Sequence, residues 1–218
     1  MLFVKFVFET VKEIKQSFRL MMDGAVAQSM RDKGLNYHLN WGATLPRLQA
    51  KAQEIKAMFN VSSLMFNVYD LSIALWKENV RECKILATML MPPDEILPEV
   101  VDIWQEQIPS QEIAEQLAFN LYQHLPFAAE KAYQWIASDK EYDQLCGFHV
   151  LSRLFMNGQE PNERGINEYL DQALCALQGP FPSVRKAALQ SLQRFAELGI
   201  LYERLAKSAT KSIDLDIF

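Results

Sequence analysis

Along almost the whole of this 218-residue chain, apolar residues recur at spacings of three and four. That period lets an α-helix bury one face. Phe8, Val11, Ile14 and Phe18 form a first such stripe, with Lys15 at its edge, and Leu45, Leu48, Ala52, Ile55 and Phe59 form another. Leu71, Ala74 and Leu75 lead into Val80, Cys83, Ala87 and Leu90. Ile96, Val100, Ile103, Trp104 and Ile108 follow, then Ile113, Leu117, Phe119, Leu121 and Leu125.

Breakers interrupt the pattern at short intervals: Gly42 with Pro46, Pro92-Pro93, Pro98, Pro109, Pro126, Gly158 with Pro161, and the run from Gly179 to Pro182. Ser62 and Ser110 stand where helix N-caps are expected, and Pro46 suits a first helical turn, where a missing N–H costs nothing. The spacing predicts about ten helices of ordinary length joined by short turns.

With only 8 glycines and no sustained alternation of Val and Thr, a β-rich fold is disfavoured. Trp41, Trp76, Trp104 and Trp135 lie 35, 28 and 31 residues apart, close to the length of a two-helix repeat. The reading is an all-α chain, 1–218, of stacked helix pairs in a single repeat domain, set against a helical bundle with scattered core tryptophans.

Composition narrows the function. Cys83, Cys146 and Cys175 are far apart and odd in number, which speaks against a disulfide framework or a zinc site and for buried free thiols. His38, His124 and His149 have no ligand-spaced partner. No GxSxG or phosphate loop occurs, so no metal and no cofactor are expected. Charges at Lys5, Glu9, Lys12, Glu13 and Lys15 break up the apolar N-terminus. No run approaches the roughly 18 apolar residues of a membrane span, and the expectation is a cytoplasmic monomer. The net charge of −5 warns against bulk electrostatic attraction to nucleic acid.

Three segments resemble the bacterial DNA alkylation repair family of HEAT-like proteins. Met30-Arg31-Asp32-Lys33-Gly34-Leu35-Asn36-Tyr37, with Asn40-Trp41-Gly42-Ala43 and Pro46-Arg47-Leu48, is similar to the family's first-repeat signature. Ala74 to Ala87, containing Leu75-Trp76 and Arg81-Glu82-Cys83-Lys84-Ile85-Leu86-Ala87, resembles its "LW…RE.K.LA" helix. Val184-Arg185-Lys186-Ala187 resembles its "(I/V)RKA" helix. The matches run from about residue 24 to 205 in the expected order. The resemblance implies an α-α superhelix of HEAT/ARM-like repeats whose concave face holds duplex DNA. In active members, hydrolysis of the N-glycosidic bond releases cationic alkylpurines such as 7-methylguanine and 3-methyladenine. A carboxylate there stabilises the oxocarbenium-like sugar, tryptophans line the cleft, and an arginine holds backbone phosphate.

The site positions implied by this resemblance are largely substituted. The family's catalytic Trp and Asp, four residues apart, align with Gln111 and Glu115. Spacing of four keeps both on one helix face, so Glu115 is the candidate catalytic carboxylate. The arginine falls near Leu145 and the second tryptophan at Gln190. Trp104, two turns before Gln111, could replace the lost aromatic or serve the core. Lys77, Arg81 and Lys84, spaced as on one helix, with Arg185 and Lys186, are the candidate nucleic-acid contacts. The alternative for them is a solvated face paired with Glu78 and Glu82. The expectation is DNA association with excision weak or lost. The alternative is a non-catalytic scaffold for a protein partner, which a pI of about 5.3 would suit.

Overall fold

The computed structural model describes residues 2–35, 37–61 and 67–211. The expected cap at Ser62, the signature residue Asn36, and an apolar alternation at Ile213, Leu215 and Ile217 lie outside them. Twelve α-helices are found among the described residues, two more than the breakers suggested. The chain divides into two compact units, residues 1–102 and 103–218.

The first unit holds α1 (Leu2–Leu20), α2 (Gly24–Asp32), α3 (Leu45–Val61), α4 (Val68–Lys77) and α5 (Arg81–Leu90). Most of the apolar stripes predicted from sequence form its core: Val11, Ile14, Phe18, Leu48, Ala52, Ile55, Leu71 and Leu75 are buried, whereas Phe8 is 63% exposed. Each of these buried side chains other than Ala52 contributes about 1.5–3 kcal/mol by leaving water. α5 packs on both α4 and α3.

The signature around Trp41-Gly42 has a backbone explanation. Gly42 has φ of 74°, and a Cβ there would lie 2.2 Å from the Asp23 carbonyl oxygen and 2.8 Å from the Ala27 nitrogen. Only glycine permits that approach. The α2–α3 connection is held further by the Asp23 N–H donating to the Trp41 carbonyl at 2.9 Å.

The "RE.K" segment is likewise occupied with the fold. Glu82 is fully buried, and its Oε1 accepts from the N–H groups of Trp41 (3.1 Å) and Ala43 (3.2 Å) and from Arg81 Nη1 (3.3 Å). Arg81, 1% exposed, also donates to the Ala43 carbonyl at 2.8 Å. Two buried opposite charges thus clamp the 41–43 loop onto the start of α5.

The second unit holds α7 (Gln111–Asn120), a 3-10 turn (Tyr122–His124), α8 (Ala128–Ile136), α9 (Glu141–Met156), α10 (Glu163–Gln178), α11 (Pro182–Ala196) and α12 (Ile200–Lys211). The remaining helix, α6 (Pro98–Glu106), crosses the division between units. Ser110 caps α7 as expected, its hydroxyl accepting from the Ile113 N–H at 3.4 Å. α9 is the central helix and packs against α7, α8 and α11. Contact with neighbours both one and two places away in sequence is how stacked helix pairs build a core. Gly147 on α9 permits the closest approach. A Cβ there would meet Ile136 Cγ2 at 2.7 Å and the Ala132 carbonyl oxygen at 2.9 Å, both on α8. Phe155, Tyr169, Phe195 and Tyr202 form a ring cluster with centroids 5.0–5.5 Å apart.

Candidate nucleic-acid interface

Three helices of the second unit present one face each to a shared opening. α7 contributes Gln111, Glu115 and Phe119, spaced by four. α9 contributes His149 and Arg153, and α11 contributes Ser183, Lys186 and Gln190. A chamber of about 200 Å³ is lined by Gln111, Glu115, Phe119, His149, Ser183, Lys186, Ala187 and Gln190. It adjoins a wider opening of about 760 Å³ that shares Phe119, His149 and Gln190 and adds Ser152, Arg153, Gln193 and Arg194. The sequence-derived positions Gln111, Glu115, Lys186 and Gln190 therefore do converge.

Glu115 is half-buried, and one of its carboxylate oxygens accepts from the Gln111 side-chain amide at 2.8 Å. The Phe119 ring packs edge-on against His149, centroids 4.9 Å apart, and carries the Arg153 guanidinium over it at 4.7 Å. Burial, together with the Arg153 and Lys186 charges, holds the His149 pKa down at about 4. The imidazole is thus neutral near pH 7 and sits in a positive field. Neither Arg153 nor Lys186 has a carboxylate partner among the described residues, whereas Arg194 pairs with Glu197 at 2.6 Å.

Other expected site residues are placed differently. Lys77, Arg81 and Lys84 do not share a helix: α4 ends at Lys77, Glu78 is extended, and the Leu39–Val80 bridge precedes α5. Arg81 is buried in the clamp with Glu82. Lys84 is half-buried, donates to the Trp76 carbonyl at 2.8 Å and sits 4.3 Å over the Trp76 ring, and burial lowers its pKa. Of the three, Lys77 alone is exposed. The expected stripe is therefore not an open basic surface, because its spacing was counted across a break between helices. Arg185 donates to the Gly179 carbonyl at 2.7 Å and ties down the turn before α11, while Lys186, next to it, is exposed at the chamber.

Leu145, at the position implied for the arginine, is in the core at 1% exposure. Arg153, two turns further along α9, is the arginine of that helix that reaches the opening, and sequence reasoning missed it. The signal was present in the four-residue step from His149 to Arg153, which continues the α9 face. Trp104 is buried at 2% exposure and supports the core. The thiols also divide: Cys83 and Cys146 are buried, but Cys175 is exposed, contrary to expectation.

No described helix is long and apolar enough to cross a membrane. No curated protein matches the sequence significantly. A solved structure described as "A new family of proteins related to the HEAT-like repeat DNA glycosylases with affinity for branched DNA structures" is similar, with a TM-score of 0.75 at 15% identity over 92% of this chain and 81% of that one. The likeness bears out the all-α HEAT-like repeat expectation. The family described as DNA alkylation repair enzyme matches residues 14–197, so this chain belongs to the DNA alkylation repair enzyme family.

Proposed function

We propose that this protein binds duplex DNA, branched DNA included, on the α7–α9–α11 face of its second unit, and that excision of alkylated purines is weak or lost. The observation that supports this is the pair of cations, Arg153 and Lys186, that flank the Glu115 chamber without carboxylate partners among the described residues. Unpaired cations on an acidic protein are the residues free to neutralise phosphate and release its counterions. Arg153 would take a phosphate with its planar fork and Lys186 as a point charge. The branched-DNA affinity attributed to the similar structure agrees with such a surface.

The same geometry weakens the case for excision. Glu115 remains able to stabilise positive charge on a departing sugar. However, it is already engaged by Gln111, and amides stand at Gln111 and Gln190 where aromatic walls would hold a cationic base. Binding energy that appears only in the transition state is thereby reduced.

The test combines two assays. Fluorescence anisotropy on linear duplex and on a four-way junction should show binding that drops about tenfold or more in Arg153→Gln/Lys186→Gln. Free-base release from DNA containing 7-methylguanine should be slow or absent. Vigorous release abolished by Glu115→Gln would overturn the weak-excision part. Absence of DNA binding would overturn the whole and favour the scaffold for a protein partner.

A further inference from the structure

We infer that the chamber beside Glu115 receives an uncharged, hydrogen-bonding nucleobase that has left the stack, and that it rejects a cationic base. This rests on the reading of the α7–α9–α11 face as a DNA surface and specifies what that face selects.

The chamber wall is built for hydrogen bonding. Gln111 and Gln190 each offer an amide donor and acceptor, Glu115 offers acceptor oxygens, and Ser183 a hydroxyl. Side-chain amides match the paired donor and acceptor of a nucleobase edge. A volume of about 200 Å³ suits one small ring system and not a base pair. A base reaching these groups must therefore be unpaired or swung out, and it arrives most readily where pairing is already broken.

Charge at the chamber runs against a cation. Phe119 is the one benzene ring in the lining, and Arg153 lies over it at 4.7 Å while His149 abuts it. The π surface that would attract a cationic base is thus already occupied by a cation. Lys186 places a positive charge in the lining opposite the single carboxylate of Glu115, which Gln111 already engages, and Arg153 adds a second positive charge at the adjoining opening. Burial lowers the His149 pKa most, and the Arg153 and Lys186 charges that add to it reflect the same positive field. The wider opening, which holds Arg153, leaves room for the backbone on either side of the displaced nucleotide.

The experiment compares three otherwise identical duplexes: fully paired, with one unpaired guanine, and with one unpaired 7-methylguanine, which carries a fixed positive charge. Anisotropy titrations of the full chain should rank unpaired guanine first. Its advantage over the paired duplex should be about tenfold, the value of one good bidentate contact. The 7-methylguanine bulge should bind severalfold more weakly than the guanine bulge. Gln111→Ala/Gln190→Ala should abolish the preference for the bulge.

Equal or tighter binding of the 7-methylguanine bulge would overturn the inference, as would a preference that survives in the double variant. If paired duplex binds and still depends on Arg153 and Lys186 but no bulge preference is seen, this inference fails while the DNA-binding reading stands. If no DNA binds, both fail.

Discussion

Replacing Glu82 by glutamine is the substitution with the best-defined consequence. The change keeps the shape and leaves a side-chain oxygen to accept from the Trp41 and Ala43 N–H groups. It removes the negative charge 3.3 Å from Arg81 Nη1, in a place where Glu82 is 0% and Arg81 1% exposed. Removing one member of a buried ion pair costs about 3–5 kcal/mol. The two amide bonds weaken as well, since hydrogen bonds to charged groups contribute about 1.5–3 kcal/mol against about 1 for neutral ones.

Glu82→Gln should therefore destabilise the first unit by about 3–5 kcal/mol, read in urea from the fluorescence of Trp41 and Trp76. Removing both charges in Arg81→Met/Glu82→Gln should cost clearly less than the sum of the two single changes. A loss below about 1 kcal/mol for Glu82→Gln, or additive losses in the double variant, would refute the clamp.

Further outcomes follow from the same geometry. Because Arg81 holds the clamp, Arg81→Gln should lower stability and leave the salt dependence of DNA binding unchanged, as unfolding and binding titrations at several salt concentrations would show. A thiol reagent applied to the folded protein should label Cys175 first, since it is exposed while burial lifts the Cys83 thiol to about 12 and raises Cys146 also. Mass spectrometry under native conditions checks this.

Folded His149 titrates near 4, below its ordinary value of 6.5, so the unfolded chain binds the extra proton between those values. Its contribution is present above pH 6.5 and is lost on acidification towards pH 4. The full difference is ~3 kcal/mol, and His149→Gln should flatten the acid limb of a stability–pH curve. Gly147→Ala should cost about 1–3 kcal/mol by pushing α8 away from α9, measured by thermal or urea unfolding.

Much of the fold was legible because helical periodicity and breakers are local signals. The stripes through Val11–Phe18, Leu48–Ile55 and Leu71–Leu75 became core, and Ser110 became a cap. What was not legible depended on where helices stop. Val80 reads as one more apolar residue in a run, yet it pairs with Leu39 and breaks the helix between Lys77 and Arg81. That break, with burial of Arg81, separates the three basic residues. At the site, spacing of four correctly grouped Gln111 with Glu115. The positions of Gln190 and Lys186 beside them depend on how α11 meets α9 and α7, a tertiary fact that no local pattern encodes. Arg153 escaped notice for the same reason: its importance comes from lying over Phe119, 34 residues earlier in the chain.

The most direct test is the salt dependence of duplex binding, compared between the unaltered chain and Arg153→Gln/Lys186→Gln. Each phosphate neutralised contributes about −0.9 to the slope of log affinity against log salt. The double change should therefore flatten the slope by up to ~1.8 and weaken binding on every sequence alike. An unchanged slope with unchanged affinity would contradict the assignment of this face to DNA.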